Sequence, residues 1–156
     1  MVIGNATSWD TLKAEADGSC TKTARVLPRI VLADDQEDVR RTLASLLEDD
    51  FDIVGMAEDG QQVLDLAVGE SPDVLVLDIS MPLLNGFETA AYLKAWGCTA
   101  KTLFVTVHDD PDFLETAISV GGLGYVLKAH LATDLIPAIQ AVMKGHLYIS
   151  PSLHLS

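Results

Sequence analysis

Five short aliphatic runs, each followed by a segment with apolar residues at helical spacing, predict an α/β domain with a doubly wound, five-stranded parallel sheet. Three observations carry this. The runs are apolar at consecutive positions, as strands covered on both faces require. Strand and helix alternate five times, so right-handed crossovers must place helices on both sides of the sheet. A chain of 156 residues with 49% hydrophobic content suits one domain with a sizeable core.

The elements follow in order from Ile30. Residues 1–28 mix small and polar types up to Pro28 and read as a flexible extension, in which Trp9 and Leu12 begin an amphipathic turn that nothing sustains. Ile30-Val31-Leu32-Ala33 is the first strand, and Val39, Leu43, Leu46 and Leu47 mark the first helix. Phe51 to Ala57 is the second strand; Gly60 opens a helix through Val63, Leu64 and Ala67 that closes near Gly69. Asp73 to Leu77 is the third and most hydrophobic strand. Phe87 to Trp96 is a helix ended by Gly97, and Lys101 to Thr106 is the fourth strand. Asp110 as cap and Pro111 at the first helical position start the fourth helix, which stops at Gly121-Gly122. Gly124 to Leu127 is the fifth strand. The last helix is expected from a Thr133 cap to Lys144, with Pro137 in or just after its first turn.

Charge narrows the function classes. The formal net charge is -13, from 10 basic and 23 acidic residues. The first 29 residues hold four basic and three acidic groups, so nearly all the imbalance lies in the domain. A surface this acidic repels a phosphate backbone, and direct nucleic-acid binding by these residues is not expected. Acidic runs such as Glu48-Asp49-Asp50 read as solvated loop. Cys20 and Cys98 are isolated, without the partners of a disulfide framework or a zinc site. No apolar run reaches the length of a membrane span, and the first residues lack the pattern of a signal peptide, so the expected location is the cytoplasm.

In a doubly wound sheet the carboxyl ends of the strands form the site. Asp34-Asp35, Asp78, Thr106 and Lys128 all stand at such ends. Three carboxylates held together by rigid strands repel one another unless a cation joins them. Their oxygen-rich chemistry suits Mg²⁺, which keeps positions open for water and phosphate oxygens. Lys128 adds a compact cation and Thr106 a hydroxyl, so the set forms a receptor for a phosphoryl group with a carboxylate as nucleophile. No Gly-rich phosphate loop follows the first strand, which argues against a bound nucleotide.

From about Arg29 to Pro151 the chain resembles the receiver domain of bacterial two-component response regulators. The matching residues are Asp34-Asp35, Asp78 in D-I-S-M-P-L-L-N-G, Thr106 in F-V-T-V-H and Lys128 in G-Y-V-L-K. The resemblance implies a flavodoxin-like (βα)5 receiver fold with strand order 2-1-3-4-5. It implies a receiver over 29–146, with 147–156 as a tail or the start of a linker. Asp78 would be the phosphoacceptor; Asp34, Asp35, Asp78 and the Ser80 backbone carbonyl would hold Mg²⁺. Thr106 and Lys128 would bind the phosphoryl oxygens. Thr106 and Tyr125 would be the switch pair, with Tyr125 turning into space that Thr106 leaves. Ser80 and His108 occupy the flanking positions that tune hydrolysis in the family. Asp34 is also placed to cap the first helix.

The implied function is a signalling switch, not an enzyme beyond its own phosphorylation and dephosphorylation. Its implied partners are a histidine kinase or phosphotransfer protein and a downstream protein, with homodimerisation through a helix face also common in the family. Ala129 follows Lys128 where most receivers have proline after a cis bond. A cis bond before alanine costs about 3–4 kcal/mol, so trans is expected. The ending G-H-L-Y-I-S-P-S-L resembles the receiver-to-linker junction of LuxR/NarL-type regulators. The expectation is a free-standing receiver or the receiver part of a longer transcription factor. A haloacid-dehalogenase-type hydrolase also uses a strand-end aspartate and Mg²⁺, but it needs a second aspartate where this chain has Ser80.

Overall fold

The computed structural model describes residues 26–151 and 153. The extension expected over 1–28 lies almost wholly outside the described residues. The elements are β1 (Arg29–Ala33), α1 (Glu37–Leu47), β2 (Asp52–Ala57), α2 (Gly60–Glu70), β3 (Val74–Asp78), α3 (Gly86–Ala95), β4 (Lys101–Thr106), α4 (Pro111–Ser119), β5 (Gly122–Leu127), a 3-10 turn (Lys128–His130), α5 (Leu131–Met143) and β6 (Tyr148–Ile149).

All strand pairings are parallel, in the order 2-1-3-4-5-6. The expected five-strand order is therefore present, but among the described residues the sheet has six strands. The sixth was hidden because two residues carry no periodicity. It forms where Gly124 and Tyr125 leave a free backbone edge for Tyr148 and Ile149.

Each strand feeds two cores, because successive side chains point to opposite faces. Val31, Ala33, Leu75, Leu77, Phe104 and Tyr125 face one way and pack under residues of α2, α3 and α4. Ile30, Leu32, Val74, Val76, Leu103 and Val126 face the other way and pack under α1 and α5. All of β3 is buried, and each fully buried Val or Leu contributes roughly 1.5–3 kcal/mol relative to exposure.

One helix boundary differs from expectation. α5 begins at Leu131 behind His130, so Thr133 is its third residue and not its cap. The 3-10 turn runs straight into the helix and leaves no extended residue at position 133. Pro137 consequently lies in the helix interior, on its exposed side, where water can reach the carbonyl that its missing amide leaves unbonded. α2 closes near Gly69 as expected, at Glu70, and Ser71 ends it in the left-handed conformation (φ 48°) just before Pro72.

Candidate functional site

Register brings the strand ends level. Ala33 pairs with Leu77, Asp78 with Val105, and Thr106 with Leu127. Asp34, the residue after Ala33, therefore emerges beside Asp78, and Lys128, the residue after Leu127, emerges beside Thr106. One carboxylate oxygen from each of Asp34, Asp35 and Asp78 lies within 4.8 Å of the others. Lys128 Nζ stands 2.7 Å from Asp34 Oδ2 and 3.5 Å from Asp78 Oδ2.

Asp34 and Asp78 are buried, whereas Asp35 is exposed. Asp34 divides its two oxygens. Oδ1 accepts from the Gln36 amide at 2.9 Å, which braces the chain as it enters α1. Gln36 is the N-cap residue and carries no side-chain cap bond, so Asp34 shapes the approach to the helix and does not cap its first turn. Oδ2 accepts no hydrogen bond: Lys128 is near enough for an ion pair but not aligned to donate.

Burial pushes the Asp78 carboxyl up to about 6, and the neighbouring Asp34 charge adds to the rise. Lys128 and a hydrogen bond from the Ser80 amide oppose it without cancelling it. A fully buried carboxylate oxygen without a donor, between two further carboxylates, is the environment that a hard, oxygen-seeking divalent ion relieves. Asp34, Asp35 and Asp78 thus fit such an ion, and the Ser80 carbonyl belongs to the same exit from β3.

The loop after β3 is held down from below. Gly86 opens α3 with its amide donating to the Ile79 carbonyl at 2.7 Å. A Cβ at Gly86 would collide with the Asp78 carbonyl oxygen, so glycine is required for this approach. Asn85 and Glu88 form a reciprocal capping box at the start of the same helix. The box is legible in the sequence as N-x-x-E. Leu83, 77% exposed, sits at φ 68° in this loop, a conformation no sequence pattern announces.

Thr106, Tyr125 and His108 form a second group. The Thr106 hydroxyl accepts from the His108 amide at 3.1 Å, and the Tyr125 hydroxyl donates to the His108 carbonyl at 2.7 Å. Tyr125 is fully buried. Burial, with the charges of Asp110 and Asp109, pushes its phenol up to about 12. Ser80 Oγ and His108 Nε2 lie 3.5 Å apart, and the imidazole stacks on Phe113 with centroids separated by 4.2 Å. These residues line an open cleft of about 680 Å³ together with Asp35, Met81 and Asn85. Tyr125 is tied to the site by its hydrogen bond to His108.

Residues 30–140 match the response regulator receiver domain, and the chain belongs to that family. Its relatives are regulators of the LuxR/NarL type. It is 38% identical over 126 residues to the transcriptional regulatory protein DesR of Bacillus subtilis, covering 80% of this chain and 62% of that protein. It is 35% identical over 127 residues to the transcriptional regulatory protein YvfU of the same organism, covering 80% and 64%. The crystal structure of a LuxR family two-component response regulator from Aurantimonas superposes with a TM-score of 0.78 at 30% identity, covering 81% of this chain and 92% of that one. The signal receiver domain of the putative regulator NarL from Mycobacterium tuberculosis gives 0.75 at 29%, covering 78% and 100%. The chain spans less than two thirds of the length of the curated relatives it matches.

Among the described residues no helix is long and apolar enough to cross a membrane.

Proposed function

We propose that the chain is a phosphorylation-activated switch of a two-component system, taking a phosphoryl group on Asp78 from a histidine kinase or phosphotransfer protein. The observation that carries the reading is the meeting of Asp78 with two further carboxylates and with Lys128 Nζ at one sheet edge. Asp34, Asp35, Asp78 and the Ser80 carbonyl are the residues that would hold Mg²⁺. When bound, Mg²⁺ supplies positive charge against the phosphoryl oxygens.

Above about pH 6 Asp78 is the carboxylate that nucleophilic attack requires. Its Oδ forms the bond to phosphorus while the phosphorus–nitrogen bond of the donor phosphohistidine breaks; the electron pair stays on the imidazole, which takes up a proton. Lys128 is the cation at hand to orient the incoming group. Thr106 accepts from His108 and retains its own hydroxyl proton for a phosphoryl oxygen. Because Thr106 and Tyr125 hold the amide and the carbonyl of one residue, reorientation of the Thr106 hydroxyl alters the footing of Tyr125. Phosphorylation then shifts the population of two arrangements of the α4–β5–α5 surface.

Incubation with acetyl phosphate tests the acceptor. The expected result is Mg²⁺-dependent labelling that disappears in Asp78→Asn; labelling that persists in this variant overturns the assignment.

The relatives favour a finer version, in which the switch is the receiver part of a LuxR/NarL-type transcription factor. The support is their shared description as transcriptional regulators and the part of their length that this chain does not span. The full reading frame of the gene tests it directly.

A further inference from the structure

Ser150 stands where β5, α5 and the carboxyl-terminal segment meet. β6 pairs with β5 only at Gly124 and Tyr125. Beyond that point Ser150 carries the pairing on with its amide and its side chain. Its amide donates to the Tyr125 carbonyl at 2.9 Å, and its Oγ accepts from the Leu127 amide at 3.0 Å. The Ser150 hydroxyl in turn donates to Asp134 Oδ2 at 2.8 Å. Ser150 and Asp134 are both buried. A carboxylate removed from water is costly unless it is bonded, and here the Ser150 and Thr133 hydroxyls bond it, with the Tyr148 phenol beside it. Leu153 closes the segment by packing into the core that contains Tyr125 and Leu127.

The position of this relay gives it a consequence. Leu127 is the residue before Lys128, the last point at which β5 holds the lysine backbone. Lys128 then enters a 3-10 turn whose Ala129 and His130 are exposed. The direction from which Nζ reaches Asp34 and Asp78 therefore depends on how firmly the Leu127 peptide is held.

We propose that Ser150, braced by Asp134, is a positioning residue for Lys128, so that docking of residues 148–151 and occupation of the phosphoryl site favour each other. This rests on the phosphorylation reading above. Coupling of this kind is reciprocal. A docked segment sets the lysine for the phosphoryl group, and a group bound at the lysine tightens the segment that leads out of the domain.

Two measurements on the full chain test it. In the first, labelling rates are followed against acetyl phosphate concentration at saturating Mg²⁺. Ser150→Ala is expected to raise the half-saturating acetyl phosphate concentration about fivefold with the maximal rate within about twofold, and Ser150→Thr, which keeps the hydroxyl, is expected to restore it. In the second, amide exchange at Leu127 and Ser150 is measured in the wild-type chain with and without Mg²⁺ and beryllofluoride. Binding is expected to slow both amides several-fold. Wild-type half-saturation in Ser150→Ala, or exchange at both amides unmoved by beryllofluoride, overturns the positioning role and leaves Asp78 as acceptor. If Ser150→Ala does not fold, the wild-type exchange measurement decides. No labelling of the wild-type chain overturns the phosphorylation reading itself, and this inference with it.

Discussion

At the amino ends of the strands charge is exposed and satisfied; at the carboxyl ends of the same strands it is buried and in conflict. Arg29 opens β1 with its guanidinium 3.2 Å from Glu70 and 4.0 Å from Asp52, all partly in water. The same side chain donates to the Glu70 carbonyl at 2.7 Å, and the Arg29 amide donates to Asp73. Five residues later Asp34 has a buried oxygen with no donor, and Asp78 is raised by its surroundings. The amino end obeys the ordinary rules of surface electrostatics. The carboxyl end breaks them, as functional sites in otherwise consistent folds do.

The sharpest way to break this contrast is Gly86→Ala. A methyl group there meets the Asp78 backbone and not a flexible side chain, so relief requires the β3–α3 loop to move. Urea denaturation should show a loss of about 3 kcal/mol. A loss near zero would mean that the loop is not clamped against the site.

Lys128→Ala comes next. It removes the cation from two buried carboxylates, and in metal-free buffer at pH 7.5 the loss should be about 3 kcal/mol. Added Mg²⁺ should recover part of it, read as a rise in the denaturation midpoint. The loss should shrink toward pH 5, where Asp78 can take a proton.

Asp78→Asn should act in the opposite direction. The folded chain binds a proton at Asp78 more tightly than the unfolded chain does, since the group rises from 3.8 to about 6. Wild-type stability therefore falls as pH rises between these values, and the cost is complete above about 6. Asparagine avoids that cost, so the variant should be more stable by about 1–3 kcal/mol at pH 7.5 without metal. The advantage should vanish near pH 4 and narrow when Mg²⁺ stabilises the wild type alone. An advantage independent of pH would locate its cause outside the carboxylate charge.

The smallest effect belongs to the amino end. Arg29→Ala disrupts half-exposed pairs, and the loss should be about 1 kcal/mol or less and further reduced by salt. A larger loss would place structural weight on the hydrogen bond to the Glu70 carbonyl.

The chain alone determined the alternation of elements, the doubly apolar strands and the residues at strand ends, because these depend on local periodicity and on one topological rule. The cap at Asp110 was legible for the same reason: its side chain bonds the Asp112 amide two residues away. Tertiary structure decided what depends on which distant groups come together. It set Lys128 closer to Asp34 than to Asp78, started α5 before Thr133, and held Leu83 at positive φ. It also gave Tyr148–Ile149 an edge to pair with and let Ser150 reach Leu127 across 23 residues. A two-residue strand and a single buried hydroxyl leave no pattern in a sequence. Their partners exist only once the sheet has formed.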